Sequence, residues 1–247
     1  MQKSVLAWAF VLALPWPALA LEVEAGASRE SLNHDLADWR SVHLEGEHKF
    51  GDRRVIYGTL RNNERFGLQD SDWLAGFYHP LGALWTLNAE AGASPTHRVL
   101  PAYTAAFNLT RKLDGGWGLG VGGRDTRYTD ARTDAALLSV ERYLGDWRAA
   151  YTFTSTRLVG AATSPGHRLQ LNRYYGERST FGMAVSHGQE AENVPPVGVI
   201  STEVSSLAFF GRHWLGRQWA VSYEASLVQQ GSLYTRKGLR FGLRRAF

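Results

Sequence analysis

From residue 21 onward, apolar side chains recur at every second position rather than every third or fourth. Trp117, Leu119 and Val121 alternate with Gly118, Gly120 and Gly122. Trp147, Ala149, Tyr151 and Phe153 alternate with Arg148, Thr152 and Thr154, and Trp219, Val221, Tyr223 and Leu227 with Ser222, Glu224 and Ser226. Side chains of an extended strand point to its two faces in turn, so this period of two predicts strands with one greasy and one polar face. The last ten residues, GLRFGLRRAF, follow the same rule: Leu239, Phe241, Leu243 and Phe247 share one parity, and Arg240 and Arg244 the other.

Fourteen such segments can be marked out. They are Leu21 to Glu30, Trp39 to Phe50, Arg54 to Phe66, Asp72 to His79, Ala83 to Ala93, Pro101 to Lys112 and Trp117 to Tyr128, followed by Thr133 to Leu144, Trp147 to Leu158, His167 to Gly176, Ser179 to Gln189, Ser201 to Trp214, Arg217 to Gln229 and Tyr234 to Phe247. Alternation is blurred in Arg54 to Phe66 and Ser201 to Trp214, so twelve strands remain possible if two segments merge. Every second connection is tight, as at Gly51-Asp52-Arg53 and Gly145-Asp146, while those between, such as Ser94 to Leu100 and Glu190 to Ile200, read as longer polar loops.

Short turns at one end and longer loops at the other are the pattern of a transmembrane antiparallel up-and-down β-barrel. A soluble sandwich would use strands of about five or six residues, whereas most of these run about ten to thirteen, enough to cross a bilayer at a tilt. Tryptophans sit at segment ends, where an indole favours the membrane interface. Trp39, Trp73, Trp85, Trp117, Trp147, Trp214 and Trp219 are therefore the candidate aromatic girdle.

Five stretches carry a family likeness: DWRSVHLEGEHKF (Asp38 to Phe50), ERFGLQDSDW (Glu64 to Trp73), RYLGDWRAAYTF (Arg142 to Phe153), LNRYYGERSTFGMAVSHGQ (Leu171 to Gln189) and the terminal strand. With these the chain resembles the YaiO family of outer-membrane β-barrel proteins over essentially all of residues 21–247. The resemblance implies an outer-membrane location, contact with membrane lipid and lipopolysaccharide, and insertion by the barrel assembly machinery. That machinery reads a terminal aromatic strand, here Leu239, Phe241, Leu243 and Phe247. The likeness implies no catalytic set, and it suggests an association with envelope polysaccharide export. Arg245 departs from the terminal-strand pattern, because an outward apolar residue is usual there.

Residues 1–20, MQKSVLAWAFVLALPWPALA, have a cation at Lys3, an apolar run and Ala18-Leu19-Ala20, the layout of a secretory leader cleaved after Ala20. The absence of cysteine excludes a disulfide-stapled scaffold. With 27 basic residues scattered among 23 acidic ones, the net +4 of an exported protein fits lipid phosphate or an acidic glycan better than nucleic acid, the alternative being that it serves solubility alone.

No metal or cofactor motif is recognised. GLGVGG at Gly118 to Gly123 lies inside an alternating strand, not between strand and helix as a phosphate loop requires. The chemistry rests with the predicted inward charges: Glu22, Glu24, Glu45, Glu47, Glu90, Glu141 and Glu224 against Lys49, Arg61, Arg124, Arg148, Arg168, Arg240 and Arg244. Glu141 and Arg148 flank one hairpin turn, and Arg240 and Arg244 should meet Glu22 and Glu24 where the barrel closes. Such charges either pair and stiffen the wall or line a path for a saccharide or other small polar solute. A pore is the expected function and a closed structural barrel its alternative. A lipid hydrolase or protease would need a nucleophile beside a base, for which His187 with Ser186 and Glu190, or His43 with Ser41, are the candidates.

Overall fold

The computed structural model describes residues 21–247, apart from Asp52, Ala162 and residues 195–196 and the side chains of residues 190–193. The leader expected over residues 1–20 lies outside the described residues. Fourteen strands follow one another: β1 (Leu21–Leu32), β2 (Trp39–Phe50), β3 (Arg54–Arg65), β4 (Leu68–Leu81), β5 (Trp85–Ala93), β6 (Tyr103–Lys112), β7 (Trp117–Arg127), β8 (Arg132–Leu144), β9 (Trp147–Leu158), β10 (Thr163–Tyr175), β11 (Ser179–Val194), β12 (Gly198–Trp214), β13 (Trp219–Gln230) and β14 (Tyr234–Ala246). Each pairs antiparallel with its chain neighbours, and β14 pairs with β1 to close the barrel. The Phe247 amide donates to the Leu21 carbonyl at 2.9 Å, so the two ends of the described chain meet at the seam.

Closure satisfies every strand edge, which a sheet in lipid must do because nothing else there can accept or donate. The residues sort inside out relative to a soluble core. Leu60, Phe107, Leu138, Leu169 and Phe241 lie exposed on the outer wall, while Glu22, Glu24, Asn63, Asp70 and Arg244 are buried within. A bilayer is the medium that makes such a distribution stable.

Three connections differ from the sequence reading. The strands of the β11–β12 hairpin continue to Val194 and Gly198, taking up most of what read as a loop over Glu190 to Ile200. Likewise β10 begins at Thr163 rather than His167. In the extension, Glu190 to Thr202, valine and isoleucine stand among glutamate, asparagine, serine and threonine without regular alternation, so the period of two gives no signal there. The β3–β4 connection is only Phe66-Gly67, with φ of 52° and 75°, the left-handed pair that a two-residue hairpin needs. A bulky residue rarely takes that conformation. Here the Phe66 ring is held against Trp39 and Tyr234, with ring centres 5.2 and 6.0 Å away.

Candidate functional site in the lumen

The strand registers place all fourteen predicted inward charges on the inner face, and they fall into two populations. At the seam, Glu24 stands opposite Arg244 on one side and Glu45 on the other, and Glu22 stands opposite Glu47. The Arg244 guanidinium is fully buried; it donates to Glu24 at 2.9 Å, to Glu22 at 3.1 Å and to Glu45, and lies 3.6 Å from Glu47. Lys49 reaches Glu22 at 3.3 Å and Glu47 at 3.2 Å, while Arg178 and Arg212 close on Glu22 from across the barrel. Arg240 lies 3.6 Å from Glu24 and 3.0 Å from the His43 ring nitrogen. Four carboxylates and five cations thus fill the terminus-side end of this wall.

Towards the loop side the same wall is closed by rings. Trp39 is only 2% exposed, its ring packed edge-on against Phe66 and Tyr234, with the Arg65 and Arg236 guanidinium groups each 4.4 Å from its centre. Between rings and charges lies a cavity of about 340 Å³ lined by His43, Asn63, Arg61, Glu224 and Arg240. Arg61 is tied to Asp72 across the β3–β4 ladder at 2.5 Å, a partner the inward-charge reading had omitted.

The opposite wall, β5 to β10, is built otherwise. Its inner face carries Thr86, Asn88, Asn108, Thr110, Ser139 and Thr152, which together with Tyr78, Tyr174 and the Glu141–Arg148 pair line a cavity of about 580 Å³. Glu141 and Arg148 approach to 2.7 Å, Arg124 lies 3.5 Å from Glu90, and Arg168 bonds the Gln170 amide oxygen at 3.3 Å. Among the described residues Arg168 has no acidic partner. Gly120 faces this cavity, where a Cβ would strike the Ser139 hydroxyl, so the glycine row of β7 leaves room that any side chain would remove.

A loop the sequence left featureless shapes the loop-side mouth. Residues 94–102 fold back onto the inner face of β4, where the Val99 and Leu100 amides donate to the Asp70 carboxylate at 2.7 and 3.0 Å. The Ser94 hydroxyl donates to the Ser71 carbonyl at 2.9 Å, and Val99 and Leu100 are buried. No pattern of period two could reveal this, because Asp70 acts on a segment 29 residues away.

The aromatic girdle needs two corrections. Trp73, Trp85, Trp117, Trp147 and Trp219 stand on the lipid wall. Trp39 and Trp214 do not: they share parity with the inward Ser41 and Arg212, Trp39 forming the ring stack above and Trp214 lying under the Arg178 guanidinium at 3.5 Å. Position at a strand end gives height but not face. On the terminus-side rim four outward tryptophans are faced across the ladder by arginine: Trp85 by Arg111, Trp117 by Arg142, Trp147 by Arg173 and Trp219 by Arg245, at 4.8 to 5.6 Å. Arg245 also lies 4.7 Å over Phe247, which explains a cation where the terminal strand calls for an apolar group. Leu239, Phe241 and Leu243 face lipid beside it, and Phe247 is exposed.

Neither enzyme candidate assembles as expected. Ser186 points inward, 2.6 Å from the Ser206 hydroxyl, whereas His187 points outward, 3.0 Å from Ser205; the Glu190 side chain lies outside the described residues. His43 is buried, its ring nitrogen 3.3 Å from Glu24. Backbone amides beside His187 and Ser205 are taken up by ladders on both sides, which leaves no pair of donors for an oxyanion.

No curated protein matches the chain. Among solved structures it is similar to the CymD monoaromatic hydrocarbon channel (TM-score 0.58, 9% identity, covering 93% of this chain and 88% of that one). It is similar also to the translocator domain of the autotransporter NalP from Neisseria meningitidis (TM-score 0.54, 13%, 92% and 88%) and to a bacterial polysaccharide outer membrane secretin (TM-score 0.52, 8%, 93% and 99%). At such identities the likeness is one of fold, that of a membrane barrel. The family model for the YaiO membrane beta barrel domain matches residues 21–193, well over half of the sequence, and the chain belongs to that family.

Proposed function

We propose that this barrel is a narrow outer-membrane pore for a saccharide or other small polar solute, and that the solute passes along the β5–β10 wall. The supporting observation is the cavity of about 580 Å³, lined mainly by hydroxyl, amide and phenol groups with a single ion pair, and by Leu137 and Ala150, a donor and acceptor mixture that polyhydroxylated solutes exchange for water. The seam wall is too densely cross-linked to serve as the path. A link to envelope polysaccharide export fits the same lining chemistry.

The test is conductance of the purified barrel in planar bilayers, together with swelling of proteoliposomes in mono- and oligosaccharides. Sugar-dependent swelling is expected, with conductance raised in Arg148→Ala and Arg168→Ala. No conductance in the wild type or in either variant would overturn the pore reading. The result would then favour a closed structural or interaction barrel, for which the filled seam wall is the motivating observation.

A further inference from the structure

The lipid-facing wall over β12, β13, β14 and β1 carries a groove of about 650 Å³, floored by Phe209, Leu207, Ala225, Leu227 and Leu239. Ala225 makes the depression, since its neighbours across the ladders are Phe209 and Leu239. Arg29 and Lys237 stand at the loop-side edge.

The charge arrangement at that edge is unfavourable as it stands. Arg29 and Arg40 are direct cross-strand partners on the outer face, and Lys237 is the partner of Ser31 two positions on. Like charges facing one another across a ladder repel. Asp38 relieves part of this: it takes two bonds from Arg29, at 2.6 and 2.9 Å, and that guanidinium holds its carboxyl below the usual range. Glu64 is the partner of Arg40 on β3, yet the two form no ion pair; the charge of Arg40 acts on Asp38 as well, and among the described residues Lys237 has no acidic partner. Arg29 and Lys237 at the edge of the trough, with Arg40 behind Arg29, are therefore three cations that share one carboxylate.

Two other apolar grooves on the lipid wall lack this combination. One, of about 620 Å³ between β2 and β5, is edged by no arginine or lysine; the other, of about 450 Å³ between β8 and β11, has only Arg142, already stacked 4.8 Å over Trp117 on the opposite rim. From this difference we infer that the β12–β1 groove binds a phosphorylated, acylated glycolipid of the loop-side leaflet. Its phosphate lies among Arg29, Arg40 and Lys237, and an acyl chain fills the trough over Ala225. The site is on the outside of the wall and is independent of any traffic through the lumen.

The test uses the full barrel in detergent micelles, with diphosphoryl lipid A and its dephosphorylated form as probes and native mass spectrometry as the readout. One diphosphoryl lipid A should stay bound. Its apparent affinity should fall about fivefold for each of Lys237→Gln and Arg40→Gln, and the fall should multiply in the pair. Arg111→Gln, on the opposite rim, should change nothing, and the dephosphorylated lipid should bind weakly to every form. Ala225→Trp fills the trough without touching a cation and should weaken both lipids, with gel mobility before and after heating showing that the variant still folds. Equal binding of the two lipids, or binding unchanged in the Lys237→Gln, Arg40→Gln pair, would overturn the inference. So would a second protein chain in place of lipid, lost in Ala225→Trp, which would give the groove to another copy of the barrel.

Discussion

The two walls of the lumen are made from the same kinds of strand and do opposite things with them. On the seam wall most of the long inward side chains are tied together: Arg244 alone engages four carboxylates, and Trp39 is boxed by two rings and two guanidinium groups. On the β5–β10 wall short amide and hydroxyl side chains predominate around the cavity, and the charges stand in separate small groups, Glu141 with Arg148, Glu90 with Arg124, and Arg168 with Gln170. Ion pairs with no room for water rigidify a region, whereas threonine and asparagine leave both space and hydrogen-bonding capacity. The difference teaches that one barrel can use part of its circumference to hold its ends together and leave another part open and lined with groups that can still hydrogen-bond.

The sharpest way to break that contrast is at Arg244. Arg244→Leu removes the one fully buried cation from among four carboxylates, of which Glu22 and Glu24 are buried, and the midpoint of urea unfolding in lipid should report a loss of about 3–5 kcal/mol. Arg148→Leu, with one partly exposed partner, should cost about 1 kcal/mol. Equal losses would mean that the walls do not differ in kind. A similar comparison holds between tryptophans: Trp39→Ala empties a packed interior site and should cost about 3–5 kcal/mol, against about 1 kcal/mol for the lipid-facing Trp73→Ala.

Smaller in stability but direct in function, Asp70→Ala leaves the Val99 and Leu100 amides unpaired at a cost of about 1–3 kcal/mol. With residues 94–102 released from β4, single-channel conductance should rise. An unchanged conductance would show that this loop does not narrow the mouth. Least disruptive of all, Asn88→Ala with Asn108→Ala should leave the unfolding midpoint within about 0.5 kcal/mol of wild type while slowing proteoliposome swelling in sugars. Unaltered sugar permeation would move the path away from this wall.

Much of this architecture was legible in the chain. Alternation in β7, β9 and β13 named the inner and outer faces, and parity alone put Arg244 and Glu24 on the same side. The β3–β4 turn was not legible, because its first residue is Phe66, which takes a left-handed conformation only with Trp39 and Tyr234 to hold it. Nor were the far ends of β11 and β12, where apolar and polar residues follow one another without alternation and periodicity has nothing to report. The face of Trp39 was legible, since it has the parity of the inward Glu45, Glu47 and Lys49, and it was missed because the girdle was drawn from position at strand ends alone.

By itself the sequence determined strand, face and order, because those follow from the two-residue period and from which side chains lipid will accept. The tertiary structure decided partnership: that Arg244 gathers four glutamates, that Arg61 meets Asp72, that Asp70 draws a loop over the mouth, and that Arg29 faces Arg40 above an apolar trough. Such contacts depend on closure and on the register of neighbouring strands. A shift of two residues along one strand would keep every face and exchange nearly every partner, and only the folded barrel fixes that shift.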